Sequence, residues 1–269
     1  MRDLRLAVAM VRAVVGDKAG NLERIRHWAA QAAARGAELV LFPEACLTGY
    51  TVRETMAPWA EPVPGPLIQE VTAVAGDLGL VIAAGLVERS DDQGLYLTQA
   101  LVGPEGLLGS YRKTHLGPTE KTLFSAGEAL GLFDCLGSRF GLELCYEGHF
   151  PEMSLALAWR GAEIILVPHA SPREEPDQKL DRWLKYLPAR AYDNTVFLAA
   201  CNLVGDNGGG LSFSGAALII GPKGDVLAQA SGLEEGLITA ELKASDLAAV
   251  KEGRMGFFLP QRRPDLYDL

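Results

Sequence analysis

Cysteine is scarce in this chain: four in 269 residues, at positions 46, 135, 145 and 201. They are widely and irregularly spaced, with no Cys-x-x-Cys pair and no Cys/His cluster at zinc spacing. That excludes a disulfide-stapled scaffold and a structural zinc site, and each cysteine reads as a free thiol in a reducing compartment. Long apolar runs are missing too. The longest uncharged window, Asn207–Pro222, is broken by Gly, Ser and Pro, so it does not read as a bilayer span. The apolar stretch at the N-terminus is short and interrupted by Arg12, which suits a first strand and not a signal segment. The cytoplasm is therefore the expected location. An excess of basic charge is also lacking. With 25 basic and 34 acidic residues the formal net charge is −9, which argues against nucleic acid as a partner. No linker, low-complexity tract or charge run divides the sequence.

What is present is an ordinary globular composition, 48% apolar and 22% charged, with enough length to bury a sizeable core. Strand-like runs recur at Leu4–Val11, Leu39–Phe42, Leu80–Val87, Leu95–Val102, Leu107–Tyr111, Phe140–Cys145, Ile164–Val167, Val196–Cys201, Ala216–Ile220 and Leu237–Leu242. Several are continuously apolar, as strands covered on both faces are. Helical segments are expected over Asn21–Arg35 behind an Asn cap, and over Pro66–Leu78 and Pro151–Arg160, where Pro occupies the first turn. A shorter one is expected over Pro188–Asn194. Alternating strands and helices predict an α/β fold in a single domain covering 1–269.

One internal echo refines this picture. Arg35-Gly-Ala-Glu-Leu-Val-Leu-Phe-Pro-Glu-Ala45 resembles Arg160-Gly-Ala-Glu-Ile-Ile-Leu-Val-Pro-His-Ala170. Each reads as a helix ending at Gly, followed by an inner strand that stops at Pro. The repeat suggests two similar α/β layers.

Single residues give weak functional signals. Glu44 follows an apolar strand at its carboxyl end, where α/β sheets place ligands, and partial desolvation there raises a carboxylate towards a useful base. An exposed loop glutamate is the ordinary alternative. Lys113 follows a strand and would commonly be a solvated surface charge. Cys145 sits at an expected strand-to-helix turn, where backbone N–H groups can stabilise a thiolate and a developing oxyanion. Cys46 and Cys201 lie beside inner strands as packing residues, and Cys135 lies in a Gly-flanked loop. The histidines are His27, His115, His149 and His169, and spacing alone leaves His149 open as a partner for Cys145.

The combination is far more specific. Phe42-Pro-Glu-Ala-Cys-Leu-Thr-Gly-Tyr50, Tyr111-Arg-Lys-Thr-His-Leu116 and Gly141-Leu-Glu-Leu-Cys-Tyr-Glu-Gly-His-Phe-Pro-Glu152 occur in that order. They resemble the three signature segments of the nitrilase superfamily, the carbon–nitrogen hydrolases. Glu120–Gly127, Ala189–Asn194 with Cys201-Asn202, Phe213-Ser-Gly, Gly221-Pro-Lys-Gly and Arg262–Tyr267 resemble further family segments. The resemblance implies an αββα sandwich. It also implies Cys145 as nucleophile, Glu44 as general base, Lys113 as the positive partner and Glu120 as a second glutamate beside the lysine. Tyr50, Tyr146, Glu147, His149 and His169 become candidate substrate contacts. No metal or organic cofactor is implied. The expected partner is a small amide or nitrile, and a homodimer or larger homo-oligomer is expected from the family.

Departures bear on the substrate. Cys145-Tyr146-Glu147 lies between the Cys-Tyr-Asp or Cys-Trp-Asp of many family amidases and the Cys-Trp-Glu of nitrilases. Gly148 and His149 stand where hydrolases of carbamoyl amino acids often carry Arg, which weakens that substrate class. The late hairpin has Gly215-Ala-Ala in place of Gly-x-Ser. Ser171–Gln178, with its mixed charges, is expected as a loop at the pocket edge. The leading expectation is an amidase that releases a carboxylate and ammonia. A nitrilase and an N-carbamoyl amine hydrolase compete with it, as does an inactive binding module on the same fold.

Overall fold

The apolar runs become the inner strands of two stacked sheets. The computed structural model describes residues 1–253 and 255–266. The first half of the chain runs β1 (Leu4–Met10), α1 (Lys18–Ala34), β2 (Leu39–Leu41), α2 (Pro66–Leu78), β3 (Val81–Arg89), β4 (Leu95–Gly103) and β5 (Gly106–Arg112). The second half runs β6 (Gly131–Cys135), β7 (Ser138–Leu142), α3 (Pro151–Trp159), β8 (Ile164–His169), α4 (Pro176–Leu184), α5 (Leu187–Asn194) and β9 (Phe197–Asn202). It continues through the short pair β10 (Gly205–Asp206) and β11 (Ser212–Phe213). It ends with β12 (Gly215–Ile220), β13 (Val226–Gly232), β14 (Gly236–Leu242) and α6 (Ala244–Glu252).

One six-stranded sheet has the order β14-β1-β2-β3-β4-β5, and the other β13-β12-β9-β8-β7-β6. In each, three central strands are parallel, β1-β2-β3 and β7-β8-β9, and the flanking strands are antiparallel. The sheets meet face to face through β1 against β9 and β12, with α1 and α2 outside one and α3, α4 and α5 outside the other. This is the expected αββα sandwich in a single domain. The echoed segments are β2 and β8, each the middle strand of its parallel triplet. Gly36 (φ 74°) and Gly161 (φ 94°) close the preceding helices in the left-handed region, which a residue with a Cβ enters only at a cost.

Alternation along β8 shows why these strands read as continuous apolar runs. Ile164 and Leu166 face the inter-sheet core, while Ile165 and Val167 face α3–α5 and the buried Trp183. Each such aliphatic side chain contributes about 1.5–3 kcal/mol on full burial.

Several boundaries differ from expectation. Helix α1 begins at Lys18 under an Asp17 cap, because Asn21 is wholly buried and its amide bonds Val14 and Leu47. The strand before Cys145 stops at Leu142, and Cys145 opens a 3-10 turn, Cys145–His149. Cys135 ends an edge strand and is not in a loop. The second half of the expected Ser171–Gln178 loop is the first turn of α4, with Pro176 at its start. Cys46 and Cys201 are buried packing residues, as expected. Gly221–Gly224 turns the β12–β13 hairpin. Tyr267 of the C-terminal motif lies outside the described residues. Among the described residues no helix is long and apolar enough to cross a membrane.

Candidate active site

Four chain segments converge where β2, β5, β7 and β8 end. Glu44 follows β2 after Pro43 stops the ladder. The tight backbone there lies against β3 at Gly85, where a Cβ would meet the Ala45 nitrogen at 2.3 Å. Lys113 follows β5 and is pinned on both sides: its N–H donates to Leu97 O at 2.8 Å and its C=O accepts from Gly127 N at 2.8 Å. Glu120 opens the 3-10 turn Glu120–Thr122. Cys145 opens its own turn with φ 49°, a left-handed conformation for a residue with a side chain. Such a position costs on the order of 1–3 kcal/mol and recurs at catalytic sites.

Three of these side chains meet directly. Lys113 Nζ donates to Glu44 Oε1 at 2.8 Å and to Glu120 Oε1 at 2.9 Å. All three are buried. Glu44 Oε2 accepts from the Ala170 N–H at 3.0 Å, and Glu120 Oε2 from the Gly117 N–H at 2.6 Å. Tyr50 is buried and donates its hydroxyl to Glu120 Oε1 at 2.9 Å, so it holds that carboxylate instead of offering the hydroxyl to a substrate.

Burial pushes the Glu44 carboxyl up to about 7, with Glu120 adding to the rise while Lys113 and the Ala170 N–H oppose it. Burial also disfavours the Lys113 ammonium, but Glu44, Cys145 and Glu120 outweigh it and hold the amine protonated. The Cys145 thiol is pushed up to about 12 by burial and by the two carboxylates, against Lys113 and the Ala170 N–H. This corrects the expectation of a stabilised thiolate. At rest the sulfur is a thiol beside a carboxyl poised near neutrality.

Glu147 has a different post from the substrate contact expected for it. It is fully buried. Its Oε1 accepts from Tyr111 OH (2.7 Å), Thr114 N (2.8 Å), Thr114 OH (2.6 Å) and His115 N (3.0 Å). Its Oε2 accepts from Leu144 N at 2.7 Å. One carboxylate thus ties the Cys145 turn to the segment that carries Lys113. His169 is also buried. Its Nδ1 lies 2.8 Å from Val167 O, its ring stacks on Trp183 at 4.4 Å, and burial keeps it neutral. Tyr146 and His149 stand at the surface on the turn, with the His149 ring 4.4 Å from that of Tyr186.

Other members escape sequence reading. The Ala170 N–H carries no side-chain signal, although the echo aligns Ala170 with Ala45. Lys179 and Arg182 lie one turn apart on α4 and share Glu174 Oε2 at 2.9 and 2.7 Å. Both lie just past the expected Ser171–Gln178 loop, and neither belongs to a family-like motif. Glu143, two residues before Cys145, is fully buried, and burial pushes it up to about 8. Among the described residues no group of three or more His, Cys, Asp or Glu could hold a metal ion.

Known proteins share this arrangement at the level of sequence and fold. Residues 5–252 match the family model described as carbon-nitrogen hydrolase. A protein of Pseudomonas protegens named "hydrolase in pqqF 5' region" is 37% identical over 257 residues, covering 94% of this chain and 86% of that protein. An (R)-stereoselective amidase of Pseudomonas sp. is 34% identical over 249 residues, covering 92% of this chain and 87% of its own. The amidase from Nesterenkonia sp. AN1 superposes with a TM-score of 0.83 at 30% identity, covering 98% of this chain and 95% of that one. That structure, of a variant enzyme, shows covalent addition of the acetamide moiety of fluoroacetamide at its active-site cysteine. With a buried acid and lysine and a partly exposed cysteine on an αββα sandwich, and with these likenesses along its length, the chain belongs to the carbon–nitrogen hydrolase family, enzymes that act on C–N bonds other than peptide bonds.

Proposed function

We propose that the protein is an amidase that uses Cys145 as nucleophile, Glu44 as general base and Lys113 as the cationic partner. Glu44 takes the Sγ proton as the sulfur attacks the amide carbon. The oxyanion that forms faces the Lys113 ammonium and the first-turn N–H of Tyr146, which has no carbonyl to reach within its turn. The adduct collapses as Glu44 returns the proton to the leaving nitrogen, and ammonia departs to leave a thioester. Glu44 then removes a proton from water, which attacks the thioester. Collapse expels the sulfur, which regains its proton, and releases the carboxylate. Glu120 is a positioning residue that keeps Lys113 and Tyr50 in place. Tyr146 and His149, at the rim, and His169, beneath it, are the candidate substrate contacts that remain.

The burial of Lys113 between Glu44 and Glu120 beside Cys145 carries this reading. A lone buried cation would be too costly, and a purely structural pair would not need a left-handed cysteine next to it. Ammonia release from short aliphatic amides, ω-amides of dicarboxylates, N-carbamoyl amines and nitriles tests it. Amide turnover is expected. Strong nitrile turnover with no amide turnover would contradict it.

We also read residues 1–269 as one catalytic unit that works as a homodimer or larger homo-oligomer. Trp159 on α3 is 55% exposed and lines an apolar groove of about 260 Å3 with Leu155, Ala156 and Pro264. A groove of this kind suits a second copy. A monomer by light scattering would contradict this. The mechanism needs Cys145 as a free thiol, which suits a reducing compartment such as the cytoplasm.

A further inference from the structure

Helix α4 and the start of α5 add a second charged group to the surroundings of Cys145. Lys179 is fully buried, donates to Ser171 O at 2.7 Å and pairs with Glu174 Oε2 at 2.9 Å. Arg182 reaches the same oxygen through Nη2 at 2.7 Å and Ser171 Oγ at 3.3 Å. One carboxylate therefore serves two cations, and the group carries an excess positive charge in a chain whose net charge is −9.

This charge is not spread over an outer face. Arg182 holds Ser171, the residue after the Ala170 N–H that binds Glu44, and the Tyr186 ring lies 4.4 Å from that of His149 on the Cys145 turn. Unused hydrogen-bonding capacity remains in the same place. Among the described residues the Tyr186 hydroxyl and Arg182 Nε are buried without a partner, and Arg182 Nη1 makes no hydrogen bond. A third of the Arg182 side chain, 33%, stays exposed. A buried donor without an acceptor gives up its hydrogen bonds to water and gains none in return. Tyr186 and Arg182 together, beside a nucleophile, therefore lack an acceptor, and the excess charge makes an anion the best one.

We propose that Arg182 and Tyr186, with Lys179 and Glu174 fixing the guanidinium, form a subsite for an anionic group on the substrate. The amide that reaches Cys145 then belongs to a molecule bearing a carboxylate several bonds from the carboxamide. The inference rests on the amidase reading of Cys145 and adds the substrate class to it.

Calorimetry on the full-length Cys145→Ala protein tests it without turnover. The probes are the monoamide of glutaric acid and pentanamide, which has the same chain length and no charge. The monoamide should bind about tenfold tighter or better, the worth of one charge-assisted hydrogen bond. Adding Arg182→Gln should remove that preference, and Arg182→Lys should keep part of it. Equal affinities for the two probes would overturn the proposal. So would an Arg182→Gln change that weakens both probes alike and lowers Tm, because it would make Arg182 only a clamp on the loop before α4. Ammonia release by the unmutated enzyme separates the two readings. Selective binding of the monoamide without turnover of any amide supports the subsite and contradicts the amidase. Efficient turnover of pentanamide with no preference for the monoamide does the reverse.

Discussion

The ammonium of Lys113 lies 2.8 Å from Oε1 of Glu44, and both side chains are almost wholly buried. Water does not screen this pair, so each group sets the protonation of the other. The proposed mechanism needs the pair in one state, with Lys113 charged and Glu44 ionised.

That requirement predicts the pH profile. Burial raises Glu44 to about 7. A general base works only when deprotonated, so kcat/KM should fall about tenfold per pH unit below that point. Cys145, pushed up to about 12, adds no inflection near neutrality. A pH–rate series on a neutral amide checks this, and constant activity well below neutral pH contradicts it.

Replacing Lys113 should damage activity and stability together. In Lys113→Met the Glu44 and Glu120 carboxylates are left facing each other without a cation. The rate should fall by about 10²–10³, and stability by about 3–5 kcal/mol, the cost of breaking a buried pair. Adding Glu120→Gln should recover part of the stability in urea unfolding and none of the rate. Recovery of rate would show that Lys113 serves only to neutralise Glu120.

Glu147→Gln tests a role in positioning. All five recorded bonds to this carboxylate come from donors, so the NH2 of a glutamine must oppose at least one of them. The change should loosen the Cys145 turn against the Lys113 segment. A lower kcat with little change in KM is expected, together with about 1–3 kcal/mol of lost stability. A raised KM at unchanged kcat would restore Glu147 as a substrate contact.

Glu143 predicts a pH effect on stability. Its folded value, pushed up to about 8 by burial, lies above that of the unfolded chain. The folded state therefore binds the extra proton, and this stabilising contribution is fully present only below the unfolded carboxylate's ordinary range. It is lost as pH rises through about 8. Glu143→Gln stays neutral, so its Tm should exceed that of the parent at alkaline pH and approach it in mild acid. Parallel Tm curves across that range would contradict this.

Much of this architecture is legible in the sequence because the inner strands are buried on both faces. Their unbroken apolar runs and the Gly-to-Pro echo mark β2 and β8 directly. Edge elements lack that signal. Gly131–Cys135 and Val226–Gly232 are edge strands of mixed burial, and the first residues of α4, Pro176–Gln178, read as the end of a loop. The site divides in the same way. Glu44, Lys113, Glu120 and Cys145 are readable because their motifs occur in order. The Ala170 N–H has no residue identity to read. Glu147 looks like a pocket residue in sequence, and only the fold shows five donors converging on it. Arg182 becomes visible once α4 brings it to Ser171, next to the Ala170 N–H that binds Glu44.

The most direct test is ammonia release from a short aliphatic amide by the parent enzyme and by Cys145→Ala, with thermal unfolding of both. Cys145 is partly exposed and spans no packed core, so its removal should leave Tm near the parent value. The account predicts turnover by the parent and none by the variant. Turnover by Cys145→Ala at the parent rate would contradict it.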